Sequence, residues 1–230
     1  MSRLEEVIDA LRSGLPILIF DDASREAEVD LVYPAWAAGP DEVYDLRVNA
    51  GGLICYATDS RVTLALGIPW GDELLANYNS YLKLLASRRL SYGDRPAFTI
   101  WVNHVGVRTG VSDSDRSLTV RKLDEVVKLY YEGRVDDARD MFYREFQAPG
   151  HVPILAARSL EERRGHTELS ITLMKLAGLR PSVVLAEVLA RGRSASLDEA
   201  RDMAKRRRIP IVTGSEVVRW CTGSEVCRGR

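Results

Sequence analysis

The run Asp21-Asp22-Ala23-Ser24-Arg25-Glu26-Ala27-Glu28-Val29-Asp30 places five carboxylates and one arginine within ten residues. Such a group repels itself unless something cationic sits among it. In an extended chain Glu26, Glu28 and Asp30 alternate with Ala27 and Val29, so that three carboxylates project from one side. Oxygen ligands grouped in this way suit Mg²⁺ or Mn²⁺. A solvated acidic loop accounts for the run equally well, and the residues alone leave both readings open.

Two of the three histidines follow a glycine, in Pro149-Gly150-His151 and in Gly165-His166-Thr167-Glu168. Glycine at a junction between a loop and a regular element gives the backbone unusual freedom. His166 opens an expected helix in which Thr167 can act as the cap. The free N–H groups of that helix, together with Arg163 and Arg164, would make a phosphate site. A capped helix with flanking ion pairs is the competing reading. Glu187 is expected to be buried within the apolar run Val183 to Val188, where an unpaired carboxylate would have its pKa raised and would suit acid/base work. A nearby arginine would explain it as well. Cys55 reads as a small core residue, His104 as structural, and Asp113-Ser114-Asp115-Arg116 as a helix cap.

These residues need elements to hold them. Leu4, Val7, Ile8 and Leu11 recur at helical spacing before Gly14, and Pro16 to Phe20 has the length of a strand. A strand at 31–33 stops at Pro34, a helix starts at Pro40, and Leu53 to Ala57 reads as a buried strand. The segment 66–95, with Asn77 to Tyr81 in it, reads as a loop or lid. Strands are expected at 98–102, 152–156, 183–188 and 210–212. Helices are expected after the polar stretch 109–116 through about 132, and at 136–146, 167–178, 197–207 and 216–220. Pro149-Gly150 reads as a turn. Interleaved helices and strands with some adjacent strands predict an α/β (α+β-like) single layered domain, a mixed sheet flanked by helices over residues 1–230, with a flexible tail at about 221–230.

At 230 residues, 46% hydrophobic and 28% charged, the chain reads as an ordinary globular protein. A net charge of -1 gives no global field for nucleic acid or membrane. Lys205 to Arg208 reads as a solvated helix end. No apolar stretch suits a signal peptide or a membrane span, and Cys55, Cys221 and Cys227 suggest no disulfide framework. A cytoplasmic location is therefore expected.

Taken together and in order, six motifs resemble 3,4-dihydroxy-2-butanone 4-phosphate synthase, an enzyme of riboflavin biosynthesis, from about residue 4 to 220. They are the acidic loop with Arg25, Glu26, Glu28 and Asp30, Gly51 to Cys55, Thr109 to Arg116, Pro149-Gly150-His151, Gly165 to Glu168, and Leu176 to Glu187. The resemblance implies conversion of ribulose 5-phosphate to 3,4-dihydroxy-2-butanone 4-phosphate with release of formate. It also implies Mg²⁺ (or Mn²⁺) and a homodimer with its site near the subunit interface. By position it implies Glu26 and His166 as metal ligands, and His151 and Glu187 as the catalytic pair. Arg25, Glu26, Asp30, Arg163, Arg164, Gly165, His166, Thr167 and Glu187 are implied to contact substrate, with Asp21, Glu28 and Cys55 as further active-site positions.

The chain departs from the family pattern at several places. Gln147-Ala148 precedes Pro149 where an arginine is common, and Ala27-Glu28-Val29 replaces Asn-Glu-Gly. Arg191-Gly192-Arg193 replaces an Asp-Asp-Gly turn, and Ala186 replaces a cysteine. A sugar-phosphate binder without turnover and a different metal-assisted lyase or isomerase are the competing functional classes.

Overall fold

In β2 (Val29–Pro34) every residue is buried, so neither face of this strand meets water. The computed structural model, which describes residues 2–222 and 224, explains this by a sheet covered on both sides. Its strands are β1 (Ile17–Phe20), β2, β3 (Cys55–Asp59), β4 (Phe98–His104), β5 (Phe146–Ala157), β6 (Ser182–Glu187) and β9 (Ile211–Thr213). They pair in the order β4-β5-β3-β6-β2-β1-β9. The β3–β5 and β1–β9 pairs are parallel and the other pairs antiparallel, so the sheet is mixed, as expected. A small ribbon, β7 (Leu189–Ala190) with β8 (Arg193–Ser194), follows β6.

Period-two alternation divides each strand between two cores. Val29, Leu31 and Tyr33 enter one, with Val43 of α2 (Pro40–Asp45), Val62 of α3 (Ser60–Ala65), Leu123 of α6 (Asp113–Tyr131), Phe142 of α7 (Val135–Glu145) and Ala204 of α9 (Leu197–Arg207). Val32 and Leu185 enter the other, against Leu11 of α1 (Arg3–Arg12), Leu169 and Leu173 of α8 (His166–Leu176) and Val217 of α10 (Gly214–Thr222). All residues of α8 from His166 to Met174 are buried, which marks it as a core helix rather than a surface one. Truncating Leu169 or Leu173 to alanine there costs about 2–5 kcal/mol.

The structure corrects several sequence expectations. Segment 66–95 is not merely a loop: it holds α4 (Gly71–Tyr78) and α5 (Ser80–Ala86), with the Asn79 side chain capping α5 by accepting the Leu82 N–H at 2.9 Å. Pro149-Gly150 does not break the chain into a turn and a strand, because β5 runs through it with a cis Ala148–Pro149 peptide. β3 begins two residues later than the apolar pattern suggested. Cys221 is disulfide-bonded, contrary to the expectation for the cysteines. The expected tail falls largely outside the described residues. Among those described, no helix is long and apolar enough to cross a membrane.

Candidate active site

β2 and β6 pair so that Asp30 faces Glu187, and α8 begins above them. Because Val32 and Leu185 lie on the α8 side of the sheet, Asp30 and Glu187, two residues away along the same strands, project to that side as well. Cys55 joins them from β3, opposite Leu185. A cavity of about 260 Å³ opens here, lined by Glu26, Asp30, Cys55, Tyr92, Arg163, His166, Thr167 and Glu187 among others.

His166, the first residue of α8, organises the polar end. Its Nε2 lies 3.1 Å from the Glu28 carbonyl, so this nitrogen carries the proton and donates. Nδ1 is thereby turned toward Glu26 Oε2 at 3.5 Å and Asp30 Oδ1 at 3.6 Å. Ligand atoms of Asp21, Glu26 and His166 lie within 4.8 Å of one another. Burial disfavours a charged His166, but Asp30, Glu26 and Asp21 outweigh it and raise its pKa to about 9. Burial raises Asp30 to about 7 even against the pull of His166. Glu26 is held well below the ordinary carboxylate range, despite burial, by hydrogen bonds from His166 and Tyr92 and by Arg25. Asp30 Oδ1 is buried without a hydrogen-bond partner. Carboxylate oxygens and an imidazole nitrogen converging beside an orphaned buried oxygen fit a hard divalent cation.

The acidic run is not extended, which corrects the one-sided array expected of it. Asp21 is buried and folds the run around its carboxylate, accepting N–H from Glu26 and from Glu28 at 3.1 Å each and the Arg25 guanidinium at 3.0 Å. Ala27 turns the chain with φ 54°. Glu28 is thereby carried away from Glu26, and its carboxylate accepts from Ser194 Oγ at 2.5 Å.

Glu187 is half-buried rather than buried. Its partner is a backbone group and not an arginine: its carboxylate accepts the Leu53 N–H at 2.8 Å. Gly52 makes this approach possible, since a Cβ there would stand 2.2 Å from Glu187 Oε2 and 2.7 Å from its backbone nitrogen. Burial, with Glu187 and Asp30 nearby, pushes the Cys55 thiol well above its ordinary pKa, so it stands as a neutral wall of the cavity.

Gly165, not Thr167, is the N-cap of α8, and Glu168 caps from inside the helix by accepting the Gly165 N–H at 3.2 Å. Glu168 also accepts the Arg158 N–H at 3.0 Å and pairs with Arg163, which therefore lies flat under the turn. A Cβ at residue 165 would collide with that guanidinium at 2.3 Å, which explains the glycine. Thr167 lines the cavity. Arg164 does not; it is exposed and donates to the Leu160 carbonyl at 3.2 Å.

His151 is also outside this cavity lining. It is exposed on β5, where its backbone N–H donates to Asn103 Oδ1 at 2.8 Å and its Nδ1 lies 3.1 Å from Asn103 Nδ2. His104 is structural as expected, accepting the Gly106 N–H at 3.0 Å. Ser112 caps α6, and Asp115 accepts the Gly110 N–H at 3.0 Å.

Two residues were not singled out in the sequence. Tyr92 donates to Glu26, and the Arg25 guanidinium lies 4.7 Å from its ring centroid. Asp94 accepts Arg25 Nε at 2.8 Å and lies 3.8 Å from Arg163 Nε. A lone acid between Arg88, Arg89 and Arg95 was the available signal, but nothing local said which arginines it would meet.

Comparison with known proteins shows the family. The family model for 3,4-dihydroxy-2-butanone 4-phosphate synthase matches residues 5–220. The synthase of Archaeoglobus fulgidus is 37% identical over 222 residues, covering 93% of this chain and 92% of that protein. That of Methanosarcina acetivorans is 36% identical over 235 residues, covering 96% and 93%. A solved structure of such a synthase in complex with two magnesium ions superposes with a TM-score of 0.74 at 27% identity, covering 99% of this chain and 100% of that one. With the fold, the converging site and these relatives in agreement, the chain belongs to the 3,4-dihydroxy-2-butanone 4-phosphate synthase family.

Proposed function

We propose that the protein converts D-ribulose 5-phosphate to 3,4-dihydroxy-2-butanone 4-phosphate and formate, a C–C lyase reaction serving riboflavin biosynthesis in the cytoplasm. The observation that carries this reading is the convergence of Glu26, Asp30, His166 and Glu187 on one cavity beside Arg163. The chemistry runs through enediolate formation, dehydration, skeletal rearrangement and hydrolytic release of formate. Each stage moves protons at adjacent carbons and so needs more than one acid/base group.

Glu26 and His166 would hold Mg²⁺ (or Mn²⁺). Such an ion, when bound, supplies Lewis acidity to neighbouring substrate oxygens. Asp21 shapes the loop that presents Glu26 rather than serving as a free ligand, because its oxygens already accept three N–H groups. Glu187, oriented by the Leu53 N–H, faces the substrate carbons as a proton acceptor and donor. Arg163 and the opening turn of α8, including Thr167, receive the phosphate. Arg163 Nε and Arg25 Nη2 are buried without hydrogen-bond partners, which supports an anion at this end.

The catalytic role of His151 calls for a second subunit, since His151 does not line the cavity of its own chain. A homodimer through the β4 side supports that arrangement. β4 is an end strand whose Phe98 and Trp101 rings stack in the open, and Tyr78 and Tyr81 stand 79% and 84% exposed nearby in the chain. Exposed aromatic groups of this kind mark association surfaces.

The decisive assay is formate release from ribulose 5-phosphate with and without Mg²⁺. Metal-dependent formate is expected; none under any metal condition sinks the synthase reading. Binding without turnover would point instead to a regulator that retains the sugar-phosphate site.

A further inference from the structure

A second cavity, about 660 Å³, opens at the other end of the sheet beside β9, and it shares no lining residue with the first. Its size is that of a small-ligand site. Leu197, Ile209, Pro210 and Ile211 give it a half-buried apolar floor. Four cations stand on its exposed rim: Arg3 from α1, Arg201 and Lys205 from α9, and Arg219 from α10. Leu197, Arg201 and Lys205 are four residues apart, so one stripe of α9 carries both floor and rim.

Three of the rim cations are held loosely and the fourth, Arg219, is uncommitted among the described residues. No hydrogen bond or ion pair to the Arg219 guanidinium occurs among the described residues. Lys205 lies 3.8 Å from Asp202 and Arg201 3.1 Å from Asp198, exposed pairs that contribute little and exchange readily. Arg3 donates one N–H to the Ile211 carbonyl at 2.7 Å, which anchors it at the cavity edge with further donors spare. Of the two carboxylates in the lining, Glu216 is engaged by the Thr213 N–H at 2.8 Å and hydroxyl at 2.9 Å, and Glu6 approaches Arg3 only to 4.0 Å. With Asp198 and Asp202 counted, four carboxylates accompany the four cations, so an anion is drawn here by the unengaged Arg219 guanidinium and the spare Arg3 donors rather than by an excess of charge. Arginine forks favour phosphate over a simple point anion. The apolar floor beneath them requires a ligand with a body as well as a charge.

We propose that this cavity binds a small phosphate monoester with an apolar body, for which AMP serves as the probe. The reading is independent of the synthase chemistry, because no residue of that site takes part.

Calorimetric titration of the full chain at low salt with AMP, adenosine and inorganic phosphate tests it. AMP is expected to bind with Kd below about 1 mM, and adenosine and phosphate at least about tenfold more weakly. The Arg201→Glu/Arg219→Glu double variant should weaken AMP at least tenfold with an unchanged circular dichroism spectrum, and Arg219→Gln should weaken it by a smaller factor. Arg163→Met should leave AMP binding intact. The proposal is overturned by absence of saturable AMP binding up to about 10 mM, by binding that the charge reversals do not change, or by binding lost in Arg163→Met. Adenosine or phosphate binding as tightly as AMP also overturns it, by removing the need for one half of the ligand.

Discussion

Asp30 and Glu187 stand directly opposite each other across the β2–β6 pairing. Like charges in that position destabilise a sheet, and Asp30 is buried with an oxygen that makes no hydrogen bond. Such an arrangement persists where function requires it. Asp30→Asn should therefore stabilise the fold by about 1–2 kcal/mol, a rise of a few degrees in Tm, while lowering formate production at least a hundredfold. Thermal unfolding and the formate assay on the same preparation check both halves. A variant that is less stable and fully active would refute the reading.

A cation seat can be tested without turnover. Mg²⁺ at about 10 mM should raise the Tm of the wild-type protein by roughly 2–5 °C, because a ligand of the native state stabilises it. Glu26→Gln should abolish that shift with little loss of fold, and His166→Ala should do the same at some cost in stability. A metal-induced shift retained in both variants would remove these residues from the ligand set.

The exposed position of His151 on β5 predicts complementation between subunits. His151→Ala and Glu187→Gln proteins should each be inactive alone. Unfolded together and refolded, they should recover about a quarter of wild-type activity, since half the dimers are mixed and each carries one intact site. No recovery, in dimers shown to be mixed by mass spectrometry, would mean that His151 acts within its own chain or not at all.

Ala27 adopts φ 54°, a left-handed conformation that costs an alanine about 1 kcal/mol. The family pattern has asparagine here, a residue that tolerates this region. Ala27→Asn should raise stability by about 0.5–1 kcal/mol in urea denaturation. A destabilised Ala27→Asn protein would contradict the turn geometry.

Asp59 links β3 to α3 and α8: despite burial, hydrogen bonds from Arg61 and Lys175 lower its pKa to about 2. Its folded pKa lies below the unfolded value of 3.8, so its stabilisation is present above pH 3.8 and is lost as pH falls toward about 2. The contribution is about 2 kcal/mol. Lys175→Met should reduce stability at pH 6 and flatten the loss between pH 4 and 2 relative to wild type. Parallel urea curves across that range supply the measurement.

Much of this architecture is written in local pattern. The apolar runs at 31–33 and 183–188 and the helical spacing of Leu4, Val7, Ile8 and Leu11 follow from where apolar side chains must go, whatever the neighbours. The motif order was enough to indicate the family, and with it the candidate ligands Glu26 and His166. The misread pieces share one cause. α4 and α5 bury no side chain fully, so they lack a strong apolar stripe, and the course of β5 through Pro149-Gly150 depends on β4 beside it.

The sequence by itself determined which chemical groups were available: a cluster of acids, two glycine-linked histidines and a carboxylate at a strand end. Only the tertiary structure decided their use. Asp21 turned inward because three N–H groups were within reach of it, and Glu28 turned away because the chain reverses at Ala27. Asp30 met Glu187 through a strand register, and Tyr92 and Asp94 reached Glu26 and Arg25 across more than sixty residues of chain. Those contacts depend on how the layers pack, and packing is a property of the whole chain rather than of any segment.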